Sequence, residues 1–323
     1  MRSGLERTLR KFAASPAFPV DGTGFAAGQN GLRKTIDYGY TWSWIWAADS
    51  GSEQIATTAV AISPSFEHDR TVFTAIPGGI GRSQDAGETW TFVQLPLPAP
   101  LVTSIQVSPA FAHDRFILAG TARDGMLISN DGGETWAAWN SGLFDLNVFT
   151  VAFSPNIVRD HHVFAGTSTG LFQSINAGRS WSPIEVASDR TAILALAISP
   201  NPADGGDHYR LFAGTEHGLL VSRDAGISWQ HAGPDFPRST AHTVASSANR
   251  DDLAVLCDSA VMRSDDGGDT WQEIESENLP VSVSLVTAIA VVSLPEGEAI
   301  ILVADVNGEI HRVDSVRRLA VSG

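Results

Sequence analysis

Apolar and polar positions along the chain alternate in short bursts that recur at a fixed distance. Apolar runs such as TTAVAI, FTVAF and ILALAI close on a Ser-Pro step, at Ser15-Pro16, Ser63-Pro64, Ser108-Pro109, Ser154-Pro155 and Ser199-Pro200. A second β-rich run follows (TVFTAI, RFILAG, HVFAGT, RLFAGT), then a turn and a third run (GMLIS, GLFQS, GLLVS). A polar segment ending in Trp comes next, and its Trp opens a fourth run. Short runs bounded by Gly and Pro at each junction predict four β-strands per unit. Helical spacing is confined to Leu5, Leu9 and Phe12, enough for a turn or two.

The polar segment carries the clearest internal repeat. It reads Ser/Thr-x-Asp-x-Gly-x-Thr-Trp at Thr35–Trp42, Ser83–Trp90, Ser129–Trp136, Ser174–Trp181, Ser222–Trp229 and Ser264–Trp271. Asn176 replaces Asp in the fourth copy, and Ser180 and Ser228 replace Thr in the fourth and fifth. A worn seventh copy begins around Asp314, with Leu319 at the Trp position. The Asp positions are Asp37, Asp85, Asp131, Asn176, Asp224, Asp266 and Asp314, spaced by 48, 46, 45, 48, 42 and 48 residues. Four strands in a unit of that length is the pattern of a propeller blade. The expectation is an all-β, seven-bladed β-propeller of four-stranded antiparallel blades. It forms one domain over residues 1–323, with blades near 9–46, 55–95, 101–140, 147–186, 191–232, 240–276 and 284–321. The repeat needs no catalysis to explain it. Asp and Ser hold a turn through backbone amides, Gly supplies an unusual backbone conformation, and Trp42, Trp90, Trp136, Trp181, Trp229 and Trp271 bury area between sheets.

Composition narrows the class. With 36 acidic against 21 basic residues the net charge is −15, and the balance is uneven: the two ends are net basic, with Arg2, Arg7, Arg10 and Lys11, then Arg312, Arg317 and Arg318, and the body between them is strongly acidic. A body that acidic repels phosphate backbones, so nucleic acid is not expected as a ligand. The basic ends either dock on an acidic neighbour or meet where the ring closes. The single cysteine, Cys257, excludes an internal disulfide and a cysteine-built metal site. No apolar run reaches the roughly 20 residues of a membrane span, and the first dozen residues lack a secretory apolar stretch. A cytoplasmic protein without membrane insertion, cofactor or metal is expected.

On its repeated segment the chain resembles the BNR or Asp-box repeat propellers. These include sialidases, xyloglucan-cleaving glycoside hydrolases, sortilin-type receptor ectodomains and the photosystem II assembly factor of cyanobacteria and plastids. The resemblance covers residues 9–321 and implies fold more than activity, because the family mixes hydrolases with binders. It also implies that ligands meet the face opposite the Asp-box turns. That face would be built from turns between second and third strands and from links between blades. Its candidate binding residues are Trp44, Trp46, Arg123, Phe144, Arg190, His217, Phe236, Arg238 and His242, with Asp145 beside them.

Two functional classes follow. The leading one is a non-catalytic propeller presenting a polar face to a protein or peptide, which the acidic body would select to be basic. The alternative is a carbohydrate-active hydrolase with a carboxylate pair drawn from Asp124, Glu216 and Asp258 and sugar stacking on Trp44 or Trp46. A sialidase is disfavoured: there is no Arg-Ile-Pro, and Tyr38, Tyr40 and Tyr209 are not expected on the ligand face. Gly166-Thr-Ser168-Thr-Gly170 matches a nucleophile elbow in letters but occupies a strand–turn–strand slot. His68 and His113 share a repeat position with Arg159, on separate blades, too far apart to share an ion.

Overall fold

Each repeat folds into its own antiparallel sheet, with strands in chain order from the centre outward. The computed structural model describes residues 9–46, 55–96, 98–186, 191–200, 209–247, 251–296 and 298–314. Blade 1 is Leu9–Ala14, Gly24–Gly28, Gly31–Thr35 and Ser43–Trp44. Blade 2 is Ala59–Ile62, Val72–Ile76, Gly79–Ser83 and Thr91–Gln94. Blade 3 is Leu101–Val107, Ile117–Ala122, Met126–Ser129 and Ala137–Ala138. Blade 4 is Val148–Phe153, Val163–Thr167, Gly170–Ser174 and Ser182–Ile184. Blade 5 is Ile193–Pro200, Tyr209–Thr215, Gly218–Ser222 and Gln230–His231. Blade 6 is Ala241–Ser246, Leu253–Cys257, Val261–Ser264 and Gln272–Glu273. Blade 7 shows Val286–Ser293, Ala299–Asp305 and Ile310–Asp314, and the segment expected for its outer strand lies outside the described residues. The first strands stand side by side around a central channel, making a seven-bladed β-propeller.

The second strands are the most buried, with Phe25, Phe73, Phe164 and Phe212 fully enclosed. Core clusters run between blades rather than within them; one joins Phe212 and Leu219 of blade 5 to Leu253 and Val255 of blade 6. The ring closes in the same way. Leu9 and Ala26 of blade 1 pack on Ala288 and Ala304 of blade 7, and Phe18 packs on Val292, Ile300 and Leu302. Arg312 of blade 7 lies over the Tyr40 ring of blade 1, 4.2 Å from its centre. The helical spacing at Leu9 and Phe12 is overruled: both lie in the inner strand of blade 1, where Phe12 meets Trp42 with ring centres 6.0 Å apart.

The repeated Trp segment is a turn between third and outer strands. In blade 3 the Ser129 hydroxyl donates to Asp131 (2.7 Å) and accepts from the Gly133 amide (2.8 Å), while Asp131 accepts from the Thr135 amide (3.0 Å). Gly133 is required twice over: its φ is +91°, and a Cβ there would meet Phe73 of blade 2 at 2.8 Å. In blade 4, Asn176 keeps the amide bond from Ser180 (2.9 Å) and donates to its hydroxyl (2.8 Å).

A second repeated turn escapes a reading by strands alone. After four of the Ser-Pro steps the chain makes a one-turn helix: Phe18–Asp21, Phe66–Asp69, Phe111–Asp114 and Ile157–Asp160. The aspartate ending each helix reaches back to the serine six residues earlier. In blade 2, Ser63 donates to Asp69 (2.6 Å), whose other oxygen accepts from the Thr71 amide (2.9 Å). Ser63 is fully buried. Asp69→Ala strands that hydroxyl and the Thr71 N–H, an expected loss of about 1–3 kcal/mol. Chemical denaturation of Asp69→Ala against Asp69→Asn checks this, since Asn retains an acceptor; equal stability of the alanine variant and the parent would refute it.

Candidate functional site

In an up-and-down blade the one-turn helices and the Trp-segment turns share one end. The turns between second and third strands, with the links between blades, share the other. This second end is the candidate recognition face. Its turns are tied by threonines at strand ends: Thr121 donates to Gly125 O (2.8 Å), Thr167 to Gly170 O (2.9 Å) and Thr215 to Gly218 O (2.8 Å). In blade 7 Asp305 does the same work, accepting from the Asn307 (2.8 Å) and Glu309 (2.9 Å) amides.

The expected face residues divide into three groups. Arg123, His217, Arg238 and His242 are exposed, as are Asp124, Glu216 and Asp258. Arg123 holds its turn with a φ of +83° and donates its amide to Leu146 O (3.1 Å). His217 and Arg238 face His231, whose imidazole is pushed below its ordinary pKa by burial and then by those two neighbours. Phe144 is 83% exposed, with only an edge contact to Phe172.

Others are spent on packing. Phe236 is buried against Trp271, ring centres 5.1 Å apart, and seals the seam between blades 5 and 6. Trp46 lies on Trp90 (5.1 Å) and Phe92 (5.9 Å) between blades 1 and 2. Trp44 is half-buried, with the Arg33 guanidinium 4.1 Å over its ring. Linker aromatics are apolar enough to be drawn into blade seams, so they leave little open stacking surface. Arg190 lies outside the described residues.

The carboxylates sit on three different blades. Asp258 bonds His242 Nε2 at 2.6 Å, and that bond, followed by those from Thr240, holds its carboxyl below the usual range. A general acid needs the opposite shift. Asp145 accepts from Ser168 (2.6 Å) and the Asn147 amide (2.9 Å); burial would raise its pKa, but these bonds outweigh it and lower it. Ser168 therefore bonds a carboxylate within a hairpin turn rather than a base at a strand–helix elbow. Burial and nearby Asp258 push the Cys257 thiol up to about 12, which leaves it inert at neutral pH. His68 and His113 lie exposed on the one-turn helices at the opposite end. Among the described residues no His, Cys, Asp and Glu cluster of three is placed to hold a metal, and no helix is long and apolar enough to cross a membrane.

Two residues missing from the expected set complete a patch. Leu101, 54% exposed, opens the inner strand of blade 3 and pairs with Ala122, next to Arg123. Leu146, 37% exposed, lies in the link to blade 4 and carries the carbonyl that Arg123 and Gly125 bond. Leu101 and Leu146 thus lie beside the Arg123 turn, and Phe144 precedes Leu146 by two residues in the same link. Their signal in the sequence was apolar residues in links, LPLPAPL and GLFDL, outside any strand alternation.

No family model matches the chain, and no curated protein matches it in sequence. Solved structures match its fold. The extracellular domain of the one component system BT4673 from B. thetaiotaomicron superposes with a TM-score of 0.69 at 13% identity, covering 95% of this chain. This chain spans only 38% of that one. YCF48 bound to a D1 peptide gives 0.65 at 16% identity, covering 98% of this chain and 94% of the other. YCF48 from Cyanidioschyzon merolae gives 0.61 at 17%, covering 96% of each.

Proposed function

We propose that the chain is a binding propeller whose turn face holds a peptide or protein partner, anchored at blades 3 and 4. The observation that carries this reading is the exposure of Leu101 and Leu146 at the Arg123 turn, with exposed Phe144 in the same link as Leu146. Aromatic and arginine side chains dominate binding energy at protein interfaces, and exposed apolar clusters on otherwise polar surfaces mark such sites. YCF48, similar in fold, has been solved with a peptide bound, which supports the same use here. The net charge of −15 favours a basic partner and salt-sensitive association. The repeated Trp turns are read as Asp-box turns that brace this face from the opposite end. A carbohydrate hydrolase draws no such support, because Trp44 and Trp46 are covered and Asp258 is held ionised.

A random peptide library displayed against the protein tests the reading. Selected peptides are expected to be enriched in basic and apolar residues. They should bind a Phe144→Ala/Leu146→Asp variant at least about tenfold more weakly, while Ile227→Ser, at the opposite end, binds as the parent does. Peptides that bind the double variant undiminished would place recognition elsewhere.

A further inference from the structure

The central channel carries chemistry that the turn-face patch does not use. Its cavity is about 390 Å³ and is walled by the inner strands of all seven blades. Much of the wall is apolar, including Val151, Leu196 and Ile289. Arg10 and Lys11 line it, together with Ser104, Thr150 and Thr243, and no Asp or Glu is among its lining residues. In a chain of net charge −15, a cavity with two cations and no carboxylate stands apart from the rest of the molecule.

Arg10 and Lys11 are consecutive residues of the inner strand of blade 1, and both line the channel. A β-bulge between Leu9 and Lys11 leaves Arg10 as an extra, unpaired residue of that strand. Five other blades carry the same bulge, so register places equivalent residues at one level. Where blade 1 has Arg10, blade 3 has Thr103, which donates to Val148 O and ties its blade to the next. Thr58 ties blade 2 to blade 3 through Val102 O (2.6 Å). Blade 1 gives up that stitch for a guanidinium. One step further in, Lys11 shares its level with Ser104, Thr150 and Thr243. The acid that register places at this level is Asp305, opposite Val286 in blade 7, whose carboxylate is engaged by the Asn307 (2.8 Å) and Glu309 (2.9 Å) amides; Asp258 of blade 6 is bonded to His242 at that blade's bulge position.

Such a constellation favours an anion. Burial pushes the Lys11 ammonium below its ordinary pKa, so its charge is stabilised by an ion of opposite sign. Lysine supplies a point charge, arginine a donor fork, and hydroxyls the remaining donors that a tetrahedral oxyanion accepts. We propose that the channel, at the level of Arg10 and Lys11, binds a phosphoryl oxyanion, as inorganic phosphate or as the phosphate of a small organic molecule. The hydroxyls of Ser104, Thr150 and Thr243 complete the site, and the apolar wall receives any organic part. This site is independent of the patch at blades 3 and 4.

Titration calorimetry of the full chain with inorganic phosphate, at fixed ionic strength set by sodium chloride, tests the proposal. Saturable one-to-one binding is expected. Lys11→Met should weaken it about tenfold or more. Arg10→Gln, at an exposed position that packing does not constrain, should weaken it too and keeps the test decisive if Lys11→Met does not fold. Phe144→Ala should bind phosphate as the parent does. Glycerol phosphate binding as tightly as phosphate assigns the whole affinity to the oxyanion; tighter binding adds the apolar wall. Absence of saturable binding, or equal affinity in the parent and both channel variants, overturns the site.

Discussion

Trp181→Ala is expected to lose about 3–5 kcal/mol of stability, the range for deleting a fully buried aromatic side chain. Trp136→Phe, one repeat earlier at the same position, should change stability by less than about 1 kcal/mol. The two tryptophans are equivalent in sequence and unequal in structure. Trp181 is 4% exposed and packs among Phe116, Met126, Ile128 and Leu143. Its indole N–H donates to Trp139 O (3.1 Å) in the link between blades 3 and 4, and its amide to Ser141 O (2.8 Å). Trp136 is half-buried, and its indole nitrogen is enclosed without a hydrogen-bond partner. Phenylalanine removes that unsatisfied donor while keeping most of the ring's contact with blade 2, so loss of area and relief of the donor offset each other. Guanidinium titrations of the parent and both variants give the comparison. Equal losses at the two positions would show that the repeat, rather than its surroundings, sets the contribution of each tryptophan.

That inequality marks the limit of what the repeat discloses. Strands and Trp turns are legible because they rest on residue types with few substitutes. Only glycine tolerates both the positive φ at position 133 and the approach of Phe73, and a short carboxylate such as Asp131 accepts at once from two amides and two hydroxyls. The Ser-Pro step was visible, but its partner aspartate six residues on was not, because one-turn helices have no periodicity to detect. Side chains in links were ambiguous for a different reason. Phe144 and Phe236 have the same residue type and the same kind of link, yet one is 83% exposed and the other 4%. What separates them is the seam each meets: Trp271 stands ready for Phe236, while Phe144 has only the edge of Phe172. In the sequence Arg10 and Lys11 are simply part of a basic end. Their place on the channel wall follows from ring closure, which sets the inner strand of blade 1 beside those of the other six blades and which no local pattern announces.

Acid should unfold this propeller through its turns. Asp85 is held at about 2, first by the Thr89 hydroxyl, then by the Thr89 amide and the Ser83 hydroxyl. At Asp131 burial pulls upward, but bonds from Thr135 and Ser129 outweigh it and bring the pKa to about 2. Asp37, Asp224 and Asp266 are lowered by the same set of bonds working against burial. An unfolded aspartate titrates near about 3.9. As pH falls below that value the unfolded chain takes up protons before the folded turns do. The stabilisation is therefore complete above about pH 4 and is lost progressively down to about pH 2. Five turns titrate in the same window, so the melting temperature should fall steeply there and stay nearly flat from pH 5 to 7. Blade 4 supplies the control in its own sequence, because Asn176 makes the same turn without a charge. Asp85→Asn/Asp131→Asn copies it twice. The double variant should melt near the parent at pH 7 and show a shallower decline between pH 4 and 2. If parent and variant decline with the same slope, the acid sensitivity belongs to other carboxylates, and Asp145, Asp258 and Asp305, lowered on the opposite face, are the next to replace.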